Sequence, residues 1–158
     1  FNVPLYPPMD PVRVSRSGVE NLVSKPDVRK AFGPDNISSM VLKKFTNNVP
    51  SFLDCIVSLL SKSLKSACLP LIWKKAIVAP IFKGGNRSDV NNYRPISLTC
   101  VLCKLLEHII SSNMWSHIDN YDIVTENQHG FRKHLNTPTQ LLHLKHCAAE
   151  TKSVITIL

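Results

Sequence analysis

Apolar residues recur at intervals of three and four along three stretches of the chain, and this spacing predicts amphipathic helices. The most regular stretch covers residues 51–67 and ends before Pro70, and another covers residues 101–118. A third begins after Asp35, which can cap it, and ends near Asn47. The side chains expected to face the core are Phe52, Ile56, Leu59, Leu60 and Leu64 in the first helix, Leu102, Leu105, Leu106, Ile109, Ile110, Met114 and Ile118 in the second, and Ile37, Met40, Val41 and Phe45 in the third.

Weaker patterns add two short helices and three strands. Residues 17–23 predict a helix capped by Ser17, with Glu20 completing a capping box, and residues 139–149 predict another. Residues 75–82 are rich in β-branched and apolar side chains and are followed by the turn sequence Lys83-Gly84-Gly85-Asn86. Together with residues 94–99 they predict a β-hairpin, in which Pro80 indicates an edge strand or a bulge. Residues 154–158 predict a buried strand, which suggests that the chain stops within a domain.

These elements predict an α+β fold. Prolines at four positions favour an extended flank or linker over residues 1–16, and residues 17–158 are expected to form the folded part. The chain has 158 residues, of which 44% are hydrophobic and 19% charged. It is therefore long enough and apolar enough to bury a core.

Composition disfavours membrane and secreted proteins. No apolar run approaches the roughly 18 residues that a membrane-spanning helix needs, and the polar, proline-containing start does not resemble a signal peptide. Five cysteines without a framework-like spacing favour reduced thiols over disulfides. We therefore expect a protein that makes no membrane contact and lies inside the cell, in the cytoplasm or the nucleus.

The net charge of +8 is concentrated in one part of the chain. Between Cys55 and Leu106 the only acidic residue is Asp89, against eight basic ones, so this segment carries +7 of the total. The basic residues are Lys62, Lys65, Lys74, Lys75, Lys83, Arg87, Arg94 and Lys104. Such a concentration favours a polyanion as partner over an ordinary solvated surface.

Four short motifs occur in a fixed order. They are Lys30-Ala31-Phe32-Gly33-Pro34-Asp35-Asn36-Ile37, residues 73–85 from Trp73 to Gly85, Tyr93-Arg94-Pro95-Ile96-Ser97-Leu98-Thr99, and Glu126-Asn127-Gln128-His129-Gly130-Phe131-Arg132. In this order they resemble the reverse transcriptases (RNA-directed DNA polymerases) of non-LTR retrotransposons of the LINE and jockey type, over residues 17–158. The resemblance implies part of a right-hand polymerase fold: helical fingers with a basic β-hairpin, and residues 154–158 as the first palm strand, ending before the catalytic aspartates.

The resemblance also gives roles to basic residues. Lys83 and Arg94 match positions that hold the triphosphate of the incoming nucleotide, for which a mobile point charge and a planar fork are suited. Phe131 and Tyr93 could stack on bases, although such aromatic residues more often belong to a core. Trp73 is expected to be a packing anchor. The candidates for contact with template or primer phosphates are Lys74, Lys75, Arg87, Lys104, Arg132 and Lys133.

We predict no catalytic residue and no metal ligand in this chain. Nucleotidyl transfer in this family uses two divalent metal ions held by aspartates, whereas the acidic residues here are scattered singly. Mg²⁺ and dNTPs are therefore expected for the full-length parent, with an RNA template, a DNA primer and the remainder of the polymerase domain as partners. The chain alone is expected to be inactive.

Other interpretations stay open at this point. The basic segment could belong to a non-catalytic nucleic-acid-binding module or to a degenerate relic of a mobile element. The cysteines and histidines at Cys100, Cys103, His143, His146 and Cys147 have spacings that could bind zinc. The apolar neighbours of the first two favour buried thiols instead, and a nucleophilic Cys–His pair has still less support.

Overall fold

The computed structural model describes residues 6–25 and 31–150, with the side chain of Glu150 excepted. These residues form five α-helices, two 3₁₀ turns and a two-stranded antiparallel sheet, which confirms the α+β class. They group into two compact units, one of residues 9–113 and one of residues 6–8 and 114–150. The strand predicted for residues 154–158 lies outside the described residues.

The described elements match the predicted types and differ at their ends. All the predicted helices and both hairpin strands are present, whereas the two 3₁₀ turns were not predicted. In chain order the elements are α1 (Arg16–Ser24), α2 (Ser39–Asn48), α3 (Pro50–Ser66), a 3₁₀ turn (Leu71–Lys74), β1 (Ile77–Phe82), a 3₁₀ turn (Val90–Asn92), β2 (Tyr93–Leu98), α4 (Val101–Asn120) and α5 (Thr137–Glu150).

The cap of α1 is not the predicted one. The hydroxyl of Ser15 accepts a hydrogen bond from the Gly18 amide at 3.1 Å, so Ser15 caps the helix. Ser17 already lies within the first turn, and Glu20 is too far along to reach back to the cap. The predicted capping box is therefore wrong.

The cap of α2 is also displaced, from Asp35 to Ser38, whose hydroxyl accepts from the Val41 amide at 3.3 Å. Asn36 has a left-handed backbone with a φ of 57°, which a helix cannot contain, so the helix cannot begin at Asp35. The Asp35 carboxylate instead accepts from the Ile37 amide at 3.2 Å and closes a turn. Asparagine adopts a positive φ more readily than most residues other than glycine.

The core of the larger unit lies between all four of its helices, α1 to α4, and the first 3₁₀ turn. Trp73 is only 5% exposed, which confirms its predicted role as a packing anchor. The other core residues are Val19, Val23, Leu42, Leu53, Ile56, Leu60, Cys100, Val101, Leu102, Cys103, Leu105, Leu106 and Ile109. The prediction for α4 is confirmed for residues 102–109, but Met114 is exposed.

The predicted inward face of α2 is wrong. Met40, Val41 and Phe45 are 40–49% exposed, while Ser39 and Leu42 are buried. The helix packs on its neighbours through Leu42, which lies about 100° around the axis from Val41 at 3.6 residues per turn. In α3, Leu59 was also expected to face the core but is exposed, whereas Leu53 and Ser63 are buried.

The turn at Gly33 contacts the backbone between the end of β2 and the start of α4. A Cβ atom added at Gly33 would lie 2.5 Å from the Cys100 nitrogen and 2.6 Å from the Thr99 carbonyl carbon. Only glycine allows so close an approach of two backbone segments. This contact joins the first of the four sequence motifs to the third.

Candidate nucleic-acid interface

The β-hairpin has two faces with different chemistry. Its strands pair in register from Ile77 with Leu98 to Phe82 with Tyr93, and the Lys83 amide extends the ladder by donating to the Asn92 carbonyl at 2.8 Å. Side chains alternate along a strand, and paired residues share a face. Ile81, Lys83 and Arg94 therefore project from one face, and Phe82 and Tyr93 from the other.

The register brings Lys83 and Arg94 together. Arg94 pairs with Ile81, and Lys83 is the next residue along that face, so the two cations are diagonal neighbours about 7–8 Å apart at the backbone. Both side chains are exposed. Within residues 6–25 and 31–150 neither makes a side-chain hydrogen bond or ion pair, and the only ion pair there is between Arg16 and Asp54. The two charges are therefore available to one external anion.

The loop between these cations is closed by its own hydrogen bonds. Gly84 and Gly85 have φ values of 117° and 90°, which residues other than glycine rarely adopt. Asn86 accepts from the Ser88 amide through its side chain at 3.0 Å and from the Asn92 side chain through its carbonyl at 2.9 Å. The Asp89 carboxylate accepts from the Asn91 amide at 2.9 Å, so the one acidic residue of the basic segment serves the turn. The loop thus fixes the spacing of the two strands.

Arg87 belongs to the opposite face. Its guanidinium lies 5.1 Å from the centre of the Phe82 ring, a cation–π geometry, and the Phe82 and Tyr93 rings are 5.4 Å apart. The Tyr93 hydroxyl donates to the Arg87 carbonyl at 3.0 Å. Tyr93 is thereby held in an aromatic cluster, and Arg87 is separated from Lys83 and Arg94 by the sheet.

The remaining predicted phosphate contacts are dispersed. Lys74 and Lys75 are exposed immediately after the buried Trp73, and Lys104 is exposed on α4. The exposed Lys133 lies in the smaller unit. Arg132 also lies there and donates through Nη1 to the Thr125 carbonyl at 3.1 Å, which closes a turn.

The loop that precedes α5 is tied to that helix by polar contacts. The His129 amide donates to the Gln140 side chain at 3.2 Å, and its ring nitrogen Nδ1 lies 2.9 Å from the Thr139 hydroxyl. The His129 and His143 rings stack with centroids 5.6 Å apart. Asn136 caps the helix by accepting from the Thr139 amide at 3.0 Å.

The larger unit contains an open apolar groove that the sequence did not predict. It lies between α2 and α3 and has a volume of about 330 Å³. Ile37, Val41 and Phe45, three of the four residues that were assigned to the core for this helix, line the groove. The signal was the presence of apolar residues on two sides of the short helix. The lining residues are Ile37, Val41, Leu42, Phe45, Phe52, Cys55, Ile56, Leu59 and Leu102.

Two cysteines of the larger unit, Cys100 and Cys103, are buried, whereas Cys55 and Cys68 are exposed. Burial, and then a hydrogen bond with Asp35, raise the pKa of Cys100, whose sulfur lies 3.6 Å from the Ile72 carbonyl. Burial, followed by a hydrogen bond to Glu107, raises the pKa of Cys103 to about 11. Burial and these hydrogen bonds therefore favour the neutral thiol at both positions.

Four of the described carboxylates are engaged by neighbouring groups. Asp54 pairs with Arg16, Asp35 and Asp89 accept from backbone amides, and Glu107 accepts from Cys103. In the described ranges no three His, Cys, Asp or Glu side chains are grouped so that they could hold a metal ion. Among the same residues no helix is long and apolar enough to cross a membrane.

The chain matches no protein-family model, but it is similar to polymerases of insect mobile elements. It is 30% identical over 138 residues to the RNA-directed DNA polymerase from mobile element jockey of Drosophila melanogaster, which is 87% of this chain and 15% of that protein. It is 32% identical, over the same shares, to the probable RNA-directed DNA polymerase from transposon BS of the same species.

A third relative is the retrovirus-related Pol polyprotein from the type-1 retrotransposable element R1 of Bradysia coprophila. The identity is 33% over 109 residues, or 68% of this chain and 10% of that polyprotein. The chain thus spans about 15% of the length of the jockey polymerase. With the four motifs in order, these similarities show that the chain belongs to the RNA-directed DNA polymerases of jockey-like non-LTR retrotransposons.

Proposed function

We propose that this chain is the nucleotide- and template-binding fingers part of a retrotransposon reverse transcriptase, in which the β-hairpin holds the incoming dNTP. The observation that carries the proposal is the position of Lys83 and Arg94 on one face of the hairpin, exposed and without a described partner. A triphosphate brings several negative charges, and two cations at this separation can bind different phosphate oxygens. The Arg94 fork suits a bidentate contact, and Lys83 supplies a point charge.

Six other basic residues are proposed to contact the phosphate backbone of template or primer. They contribute charge rather than sequence recognition, so their contacts weaken as salt rises. Arg87 and Lys104 belong to the larger unit and Lys133 to the smaller. The full set is Lys74, Lys75, Arg87, Lys104, Arg132 and Lys133.

The proposed parent enzyme extends a DNA primer along an RNA template and uses Mg²⁺ and dNTPs. The remainder of the polymerase domain is the proposed partner of this chain. The metal ions would need carboxylates other than the described ones. We therefore assign no step of phosphoryl transfer to the described residues, and we propose that the chain alone does not polymerise. Its contribution is to bind and orient the nucleotide and the template.

The clamp is tested by titrating the chain with a fluorescent dNTP and comparing variants that each remove one positive charge. We expect Lys83→Ala and Arg94→Ala to weaken binding about tenfold, because each removes a hydrogen bond to a charged group. Arg87→Ala is the matched control: it removes one positive charge from the same hairpin but on the other face, and we expect less than a twofold effect on dNTP binding. Equal losses in all three variants would mean unspecific charge attraction and would contradict the clamp.

The polymerase assignment is tested by primer extension on an RNA template. The chain alone is expected to incorporate no dNTP, and robust incorporation would overturn the proposed inactivity. In a full-length polymerase that carries this chain, Arg94→Ala should raise the KM for dNTP more than it raises the Kd for template. The reverse pattern would favour the alternative, a nucleic-acid-binding module without a nucleotide clamp.

A further inference from the structure

Phe131 combines two features that cost free energy: an exposed apolar side chain and a left-handed backbone. Its side chain is 98% exposed, and its backbone is left-handed with a φ of 60°. An exposed phenyl ring gains nothing from burial, and a bulky residue with a positive φ is a true conformational outlier. Such outliers persist where the surrounding structure enforces them, and they concentrate at binding and catalytic sites.

Hydrogen bonds on both sides of Phe131 enforce its position. Before it, the Gln128 amide donates to the Thr125 carbonyl at 3.1 Å, and His129 is bound to Thr139 and Gln140 of α5. After it, Arg132 donates to the same Thr125 carbonyl. None of these bonds involves the phenyl ring, so the loop is shaped by polar groups while the ring extends into solvent.

The surroundings of the ring favour a nucleic acid over an apolar protein surface. The flanking residues Gly130, Arg132, Lys133 and His134 are polar, basic or without a side chain, and residues 127–136 contain no acid. An apolar docking surface would present a contiguous patch. An aromatic ring beside cations is the arrangement that takes a base on its π face and a phosphate on the charges.

We propose that Phe131 stacks on an unpaired base of single-stranded template and that Lys133 contacts a neighbouring phosphate. The proposal rests on the proposed template-binding function and adds to it a specific residue and a specific kind of contact. Stacking needs an unpaired base, because the bases of a duplex are already stacked on one another. Binding through Phe131 should therefore distinguish single-stranded from double-stranded RNA.

The test is fluorescence anisotropy with the 158-residue chain and three probes of equal length: an unstructured single-stranded RNA, an RNA duplex, and a strand of abasic sites. Stacking on one base corresponds to about a fivefold or greater change in Kd. We expect Phe131→Ala and Phe131→Leu to weaken single-strand binding at least fivefold and Phe131→Trp to stay within twofold. All three should bind the duplex and the abasic strand as the unchanged chain does.

Leu142→Ala is the matched control, because Leu142 is an apolar residue of the same unit that is 69% exposed. It should leave all three affinities unchanged. Lys133→Ala should lower the slope of log K against log salt by about 0.7, whereas Phe131→Ala should not alter it. Equal thermal unfolding of the variants shows that their fold is intact.

The outcomes separate this inference from the function on which it rests. If the unchanged chain does not bind single-stranded RNA, template binding and stacking both fail. If it binds but Phe131→Ala has no effect, stacking is refuted while template binding stands, and the ring is left as a contact for protein. If Phe131→Leu binds as well as the unchanged chain, apolar size suffices and stacking is refuted.

Discussion

The approach of Gly33 to the junction of β2 and α4 makes Gly33→Ala a severe test of the fold. An ordinary van der Waals contact of a Cβ atom begins near 3.4 Å, and the added methyl would lie 2.5 Å from the Cys100 nitrogen, so the segments must separate by about 0.9 Å. It would also lie 2.6 Å and 2.7 Å from the carbonyl carbon and oxygen of Thr99. All three atoms belong to the backbone, and no side chain can rotate away.

Overpacking of this kind costs about 1–3 kcal/mol, and the rigidity of the three atoms places Gly33→Ala near the upper end. For a unit of about 100 residues each kcal/mol lowers Tm by about 4–8 °C, so we expect a fall of about 10–20 °C in a thermal unfolding experiment followed by circular dichroism. Gly130→Ala is the control, because nothing lies within 4 Å of its added Cβ. A Tm for Gly33→Ala within 2 °C of the unchanged chain would refute the close approach of the first and third motifs.

Three further predictions concern stability and reactivity. Trp73→Ala should lower the free energy of unfolding in denaturant by about 3–5 kcal/mol. Leu71→Ala, in the same 3₁₀ turn but 78% exposed, should change it by less than about 0.5 kcal/mol. Similar losses in the two variants would contradict the role of Trp73 as a packing anchor. Asp54→Ala should change the free energy of unfolding only slightly, and the change should shrink in high salt, because both side chains of its ion pair with Arg16 are exposed.

Cys103 should resist alkylation at pH 8 while the exposed Cys55 and Cys68 react, as mass spectrometry can show, because a pKa of about 11 instead of 9.0 lowers its thiolate fraction about 100-fold. Its raised pKa also stabilises the fold below pH 9, and that contribution should disappear as the pH rises from 9 to 11. Cys103 reacting as fast as Cys55 would mean that its burial is wrong.

The sequence predicted the kinds of elements because their signals are local. The apolar spacing of α3 and α4 and the glycine turn of the hairpin act within one element, and these predictions are confirmed. The inward side of α2 was wrong because apolar residues occur on two of its sides, and the choice between them depends on where α1 and α3 lie. Spacing within one helix carries no information about that choice.

The sequence supplied candidate residues for the site but not their arrangement in space. Lys83 and Arg94 were assigned to the nucleotide and Arg87 to template or primer, but no local signal showed which of the three side chains share a face of the hairpin. The register of the two strands decides which side chains share a face, and that register depends on the conformation of the ten-residue loop between them. The approach of Gly33 to Cys100 joins residues far apart in sequence, so it had no local signal either.

The pairing of Pro80 with Pro95 limits what the hairpin can bind. Because Lys83 and Asn92 form a hydrogen-bonded pair, alternation makes Pro80 and Pro95 a pair whose backbone nitrogens point away from the partner strand. At the middle of each strand, the backbone position that faces the open edge is therefore a proline and has no N–H group to donate. Another strand that paired along either edge would lack one hydrogen bond there. Pairing of another strand along an edge of the hairpin is therefore disfavoured, and its two faces are the surfaces that carry no such penalty.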